Sequence, residues 1–314
     1  MTTIRDIATI VGVAPSTISR YLNHSGYVSK ETAEKIEKTI AELDYHPNQN
    51  AQNLSRGKTS RVGVVIPHTK HPYFIEIIKG LVEAAFDSHY QLQFLPSHYL
   101  KEKELAYLDS LRAKAFDALI FTSRNLDISQ IAPYHKYGKI VLLEKTDSPF
   151  LSSISIDRQI GLSQLMMFLK KHNQPIKHPI FLFTRNEKSS ATFTSTKVAY
   201  ESIFGNTSSF DSLGNISSYE DGYKATKHFL GDKTIDAIIT NSDDVAVGVI
   251  QYYQQQKKKI PLVVSQEAQI SGKILNLPSI DNHSFQLGYQ AFHLAIDSTV
   301  KHKVIKSKFL EKRY

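Results

Sequence analysis

The sequence contains no cysteine. Disulfides, thiol nucleophiles and thiolate metal sites are therefore excluded, which suits a cytoplasmic location. No apolar run approaches the roughly 20 residues that a membrane-spanning helix needs, so no membrane partner is expected. The opening residues, Met-Thr-Thr-Ile-Arg-Asp, lack the apolar core of a signal peptide, and export is not expected. Neither a GxxxxGK phosphate loop nor a GxSxG nucleophile elbow occurs. His68 and His71 are three apart, but Pro72 follows and no carboxylate completes a ligand set. Metal, cofactor and enzymatic turnover are thus not expected.

The net charge is +8 over 314 residues, which invites a polyanionic partner. Its location does not identify one. Residues 1–60 carry seven Lys/Arg against six Asp/Glu, whereas residues 301–314 carry six against one. The excess is mostly a solvated C-terminal face.

The first sixty residues read as three short helices. In "TIRDIATIV", Thr3 and Asp6 have capping-box spacing. Ile4, Ile7, Ala8 and Val11 then lie on one helical face. Gly12 breaks that helix, and Pro15 suits the first turn of the next. Ser29 caps a third helix striped by Ala33, Ile36, Ile40 and Leu43. Residues 46–60, "HPNQNAQNLSRGKTS", are polar and read as a linker, with about two turns of marginal helix at Asn48–Ser55. From Arg61 onward, near-continuous apolar strands such as "VGVVIP", "DALIFT" and "IDAIIT" alternate with helices. That order predicts an α/β fold of parallel sheets with helices on both faces. About 250 residues fit two lobes better than one sheet. The last strand-like run is "KVIKSKFL", and no heptad tail follows, so a tetramerisation helix is not expected.

The first two helices have helix-turn-helix spacing. Ile18, Tyr21 and Leu22 would pack inward and leave Ser16, Thr17, Ser19, Arg20 and Asn23 outward. Hydroxyls and amides on such a face can reach phosphates and base edges, and one arginine can fork onto guanine. A small helical domain with a polar face is the alternative that pattern alone leaves open. A solute-binding protein with a fused helical segment is another.

Beyond pattern, "TIRDIATIVGVAPSTISRYLN", "VSKETAEKIEKTIAELDYHPN" and "HPYFIEIIKGLVEAAF" resemble the LacI/GalR family of bacterial transcription regulators. The resemblance implies a helix-turn-helix headpiece at 1–45 and a hinge at 46–60. It further implies a two-lobed, periplasmic-binding-protein-like core at 61–314 that forms the homodimer. Position by position, it places Thr3, Ile4, Pro15, Ser16, Thr17, Ser19, Arg20, Asn23 and Tyr27 against DNA, with Arg20 reading a guanine. Tyr45, Asn48, Ala51 and Leu54 match hinge positions, Leu54 being the wedge between central base pairs of the minor groove. The implied partner is a pseudo-palindromic double-stranded operator.

A cleft between two α/β lobes is a natural small-molecule site. Loops after the strands supply Tyr73, Phe74, Arg124, Asp157, Arg185, Asp243 and Glu267 as candidate effector contacts, although Asp243 could simply cap the following helix. Two positions depart from the sugar-holding pattern of the family. Thr196 stands where an arginine is usual, and "SQEA" at Ser265–Ala268 replaces Gly-Phe-Asp-Asp. The stretches "HPYF" and "TNSDDVAVG" resemble the catabolite control protein B group of that family. The resemblance implies a repressor of carbohydrate genes answering to a sugar or sugar phosphate. The alternative it implies is a serine-phosphorylated phosphocarrier protein acting as co-repressor.

Overall fold

The computed structural model describes residues 2–46, 57–69, 71–185, 191–205, 210–230 and 234–311. The chain divides into two compact units, Met1–Thr59 and Ser60–Tyr314.

The first unit holds α1 (Ile4–Val11), α2 (Pro15–Asn23) and α3 (Lys30–Glu42). The capping box forms as its spacing predicts. Asp6 Oδ2 accepts from the Thr3 backbone N–H at 2.8 Å, and the Asp6 N–H donates to Thr3 Oγ1 at 3.3 Å. Gly12 ends α1 at φ 75°, in the left-handed region that glycine enters without strain. Pro15 occupies the first turn of α2, and Ser29 Oγ accepts from Thr32 N at the start of α3. Ile7, Ala8, Ile18, Ile36 and Tyr45 form the small core, with Ile4, Tyr21, Leu22, Ile40 and Leu43 packed around it.

The second unit opens with β1 (Arg61–Ile66), α4 (Pro72–Phe86), β2 (Gln91–Pro96), α5 (Lys101–Arg112) and β3 (Ala118–Phe121). Next come α6 (Ile128–Ile131), β4 (Lys139–Leu142), β5 (Ser152–Asp157) and α7 (Gln159–Lys170). The second lobe adds β6 (Pro179–Leu182), α8 (Ala191–Phe204), β7 (Asp211–Leu213), α9 (Tyr219–Ala225), β8 (Ala237–Thr240), α10 (Asp243–Gln255) and β9 (Leu262–Val264). The chain closes with α11 (Ile270–Ile274), β10 (Ser279–Asp281), α12 (Ser284–Ile296), β11 (His302–Lys306) and β12 (Lys308–Leu310).

Among the described residues, the first lobe has a parallel sheet in the order β11-β5-β4-β3-β1-β2, and the second has one in the order β7-β6-β8-β9. Side-chain alternation divides each strand between two covered faces. Val62, Val64 and Ile120 face Ile77, Leu81 and Phe292, while Val65, Leu119 and Phe121 face Leu108, Leu111 and Ile131. In the second lobe, Phe181 and Ile239 face Leu165 and Tyr200, while Leu182 and Ile238 face Val245 and Val249.

One expectation is corrected. "KVIKSKFL" reads as a single strand, but it splits at Ser307. β11 joins the first-lobe sheet in parallel, whereas β12 pairs antiparallel with β10 beside the second lobe. Ser307 enforces the break. Its N–H and hydroxyl both donate to Asp157 O, at 3.0 and 2.8 Å, and its Oγ accepts from Gly161 N at 3.1 Å. The chain thus crosses between lobes three times, after Asp157, after Asp281 and at Ser307.

Each lobe also contains a pair of helices pressed together through glycines. A Cβ on Gly80 of α4 would lie 2.0 Å from Phe285 O of α12, and one on Gly288 would lie 2.0 Å from Ile77 O. α9 and α10 repeat the arrangement, with Gly222 against Val245 O at 2.4 Å and Gly248 against Tyr219 O at 2.1 Å.

Candidate functional site

Two surfaces carry candidate residues, one on each unit. On the headpiece, α2 buries Ile18 completely and turns Pro15, Ser16, Arg20 and Asn23 outward. Thr17 and Ser19 flank that face half-buried. The Arg20 stem lies along Gly26, where a Cβ would meet Arg20 Cδ at 3.4 Å. Asn23 Nδ2 donates back to Ser19 O at 2.9 Å, and the Tyr27 ring is 90% exposed. Thr3 spends its hydroxyl on Asp6, and Ile4 is half-buried against the core. Tyr45, matched to a hinge position, packs inward. It is buried among Ile7, Ile18 and Ile36, so its ring props up the bundle instead of facing solvent. Asn48, Ala51 and Leu54 lie outside the described residues.

The second surface is a cleft of about 280 Å³ between the lobes of the second unit. It opens where the strands of both sheets end, the edge at which open α/β sheets present their loops to ligands. Tyr73, Phe74, Arg124, Arg185 and Glu267 all line it, as their loop positions predict. Tyr73 and Phe74 meet edge to face at 5.2 Å, and His68 packs on Phe74 at 5.3 Å. Arg124 is committed to its own lobe: Nε donates to Glu144 Oε1 and Nη1 to Leu126 O. Arg185, from the second lobe, lies over the Tyr99 ring of the first at 4.9 Å.

Asp157, Thr196 and Asp243 do not line this cleft. Asp157 works at the lobe crossing, where its Oδ1 accepts from Gln159 N at 3.0 Å and its carbonyl receives Ser307. Thr196 is fully buried in α8, and its Oγ1 has no hydrogen-bond partner among the described residues. Asp243 is also fully buried, and its Oδ1 accepts from the hydroxyls of Ser265 and Ser279. The cap of α10 is Ser242, whose Oγ accepts from Val245 N.

Further residues share the lining. Arg158 follows Asp157 in the same loop, past the end of β5 and at the start of α7, and it reaches the cleft. There its guanidinium stands 5.8 Å from the Tyr73 ring and 3.9 Å from Glu267 Oε1. Tyr99 follows β2 at φ 59°, and no motif marks it. Gln266 and Asn241 contribute buried amides. Asn241 Nδ2 donates to Thr184 Oγ1, while Asn241 Oδ1 and Gln266 Nε2 have no partner among the described residues.

Burial dominates the titration of the cleft. It raises the Glu267 carboxyl to about 7, against the opposing pull of Arg158 and with a push from the nearby Asp243. It lowers His71 to about 4, aided by His68 and Arg158. A neutral His71 fits its geometry, because Nδ1 accepts from Tyr73 N at 3.2 Å. The Tyr73 phenol is pushed up to about 12, again chiefly by burial.

Comparison with known proteins agrees with this architecture. Residues 3–48 match bacterial regulatory proteins of the lacI family, and residues 59–310 match periplasmic binding proteins and the sugar binding domain of the LacI family. The chain is 33% identical over 313 residues to catabolite control protein B of Bacillus subtilis, covering 99% of this chain and 100% of that one. It is 27% identical to the sucrose operon repressor of Streptococcus mutans, covering 82% of this chain and 79% of the relative. The crystal structure of the Lac repressor bound to ONPG superposes with a TM-score of 0.81 at 19% identity, covering 99% of both chains.

Proposed function

The chain belongs to the LacI family and is a DNA-binding transcription regulator, not an enzyme; on that premise we propose that it is a cytoplasmic, homodimeric repressor of carbohydrate-utilisation genes. Its headpiece reads a pseudo-palindromic operator, and a sugar or sugar phosphate in the cleft of the core sets its DNA affinity. The observation that carries the reading is the division of α2, with Ile18 locked into the bundle while Pro15, Ser16 and Arg20 face solvent. A short face of small side chains with one guanidinium fits a major groove. The sucrose operon repressor among the relatives supports the carbohydrate assignment. Lobe closure around a ligand alters how the two hinges are presented, which couples the sites as a two-state equilibrium.

Selecting an operator from random duplexes and then testing Arg20→Ala examines the proposal. Affinity for the selected sequence is expected to fall by about 1–3 kcal/mol, with preference lost at one base position per half-site. An equal loss on every sequence would make Arg20 a phosphate contact instead. Leu54→Ala is expected to weaken operator binding and remove the central kink. Unchanged affinity with an unchanged footprint would sink the wedge role.

A second reading is favoured by the likeness to catabolite control protein B and by Thr196 and Glu267 at the altered positions. In it, a serine-phosphorylated phosphocarrier protein docks on the core as co-repressor. Titrating operator affinity against sugars, sugar phosphates and that phosphoprotein separates the two readings.

A further inference from the structure

The charges in the cleft do not balance. Among the described residues, three arginines line it, Arg124, Arg158 and Arg185, against two carboxylates, Glu144 and Glu267. Arg124 is held on Glu144 and Leu126 O. Arg158 stands 3.9 Å from Glu267, beyond hydrogen-bond length, and its guanidinium also bears on the Tyr73 phenol. Arg185 has no carboxylate of the described residues within 4.0 Å; its contact is the face of Tyr99 at 4.9 Å. A ring face holds a guanidinium without consuming its in-plane N–H groups. Among the described lining residues, at least one positive charge is therefore uncompensated even with both carboxylates ionised. The tendency of Glu267 to take up a proton near neutrality only widens the excess. A neutral polyol would leave that charge sealed in a closing cleft, at a cost that grows as water leaves.

The uncharged groups say what else the ligand carries. Asn241 Oδ1 offers an acceptor and Gln266 Nε2 a donor, both buried and without hydrogen-bond partners among the described residues. Such a pair suits hydroxyl groups. Tyr73 and Phe74 supply an apolar wall for a ring face. A volume of about 280 Å³ admits one small molecule, not a polymer.

We infer that the cleft selects a phosphorylated sugar over the free sugar, with Arg185 and Arg158 gripping the phosphoryl group and Asn241 and Gln266 the hydroxyls. This deepens, and rests on, the reading of the cleft as the effector site. Planar forks on both sides of a phosphoryl group can each bind two oxygens, which lysine could not imitate. Binding would also release Arg158 from Glu267, a contact made from the lobe crossing to the second lobe, and so link ligand charge to lobe geometry.

The full chain can be titrated calorimetrically with glucose, ribose, glucose 6-phosphate, ribose 5-phosphate and inorganic phosphate, with operator affinity measured in parallel. At least one sugar phosphate is expected to bind about tenfold or more tightly than its free sugar. Inorganic phosphate should bind more weakly than that sugar phosphate. Arg185→Gln and Arg158→Gln should each erase the preference, whereas Arg185→Lys should restore part of it. Circular dichroism and melting of the variants establish that they fold. A free sugar that binds as tightly as its phosphate, or a sugar phosphate that binds undiminished to Arg185→Gln, overturns the inference while leaving the effector reading intact if the ligand shifts operator affinity. Failure of every small molecule to bind overturns both.

Discussion

Gly288→Val is expected to unfold the first lobe. The missing side chain at Gly288 is what lets α12 lie against the backbone of α4, since a Cβ there would sit 2.0 Å from Ile77 O. The obstacle is a carbonyl held in a helix, which cannot swing aside as a rotamer can. Gly80 presents the same problem in reverse, with Phe285 O at 2.0 Å and Tyr289 N at 2.7 Å. Separating the helices would open the layer formed by Ile77, Leu81, Leu287 and Phe292 over the sheet. The expected loss is about 4 kcal/mol or more, the range reserved for disrupted cores. Urea unfolding of the full chain reads it directly. Gly205→Ala serves as the contrast, because a Cβ there meets nothing within 4 Å and only the φ of 88° is penalised. A Gly288→Val protein as stable as the Gly205→Ala one would refute the close crossing.

The pH dependence of stability should contain two opposing slopes that single substitutions separate. Glu267 rises from 4.5 to about 7 on folding, so between those values the folded chain holds a proton that the unfolded chain has lost. Stability on this account falls as pH climbs through that window. His71 drops from 6.5 to about 4, so there the unfolded chain binds the extra proton and stability rises with pH. Each shift is worth about 3 kcal/mol at full development. Relative to wild type, Glu267→Gln should gain stability as pH rises from 4.5 to 7. His71→Gln should gain as pH falls from 6.5 to 4. Denaturant unfolding across pH measures both. Difference curves that stay level would show that neither group is shifted by burial.

What the sequence revealed depended on whether the determining contacts were local. The box of Thr3 and Asp6, the stop at Gly12 and the caps and stripes of α3 are settled within a few residues, and each could be read directly. The same holds for the alternation that puts Val62 and Val64 on one face of a strand and Val65 on the other. The sequence offers Asp243 as a possible cap of α10, but Ser242 takes that place. The choice of Ser242 follows from Ser265 and Ser279, which claim Asp243 from distant strands. Tyr45 matched a hinge position, but its burial depends on Ile7, Ile18 and Ile36 from three separate helices. Tyr99 enters the cleft only because two lobes meet there. The break at Ser307 was hidden for a similar reason, since its partners lie about 150 positions earlier in the chain.

The three crossings have a consequence for the ribosome. The second-lobe sheet is assembled from one continuous stretch, β6 to β9, and can form as that stretch emerges. The first lobe emerges earlier but cannot finish, because α12 and β11 are supplied only after residue 283. Until then the face bearing Val62, Val64 and Ile120 has α4 as cover but lacks Leu287, Ala291 and Phe292. Synthesis at about 5–20 residues per second leaves that surface waiting for several seconds or more. The nascent chain is then most exposed to aggregation and to chaperone capture after its headpiece has been made and before the first lobe of its core has closed.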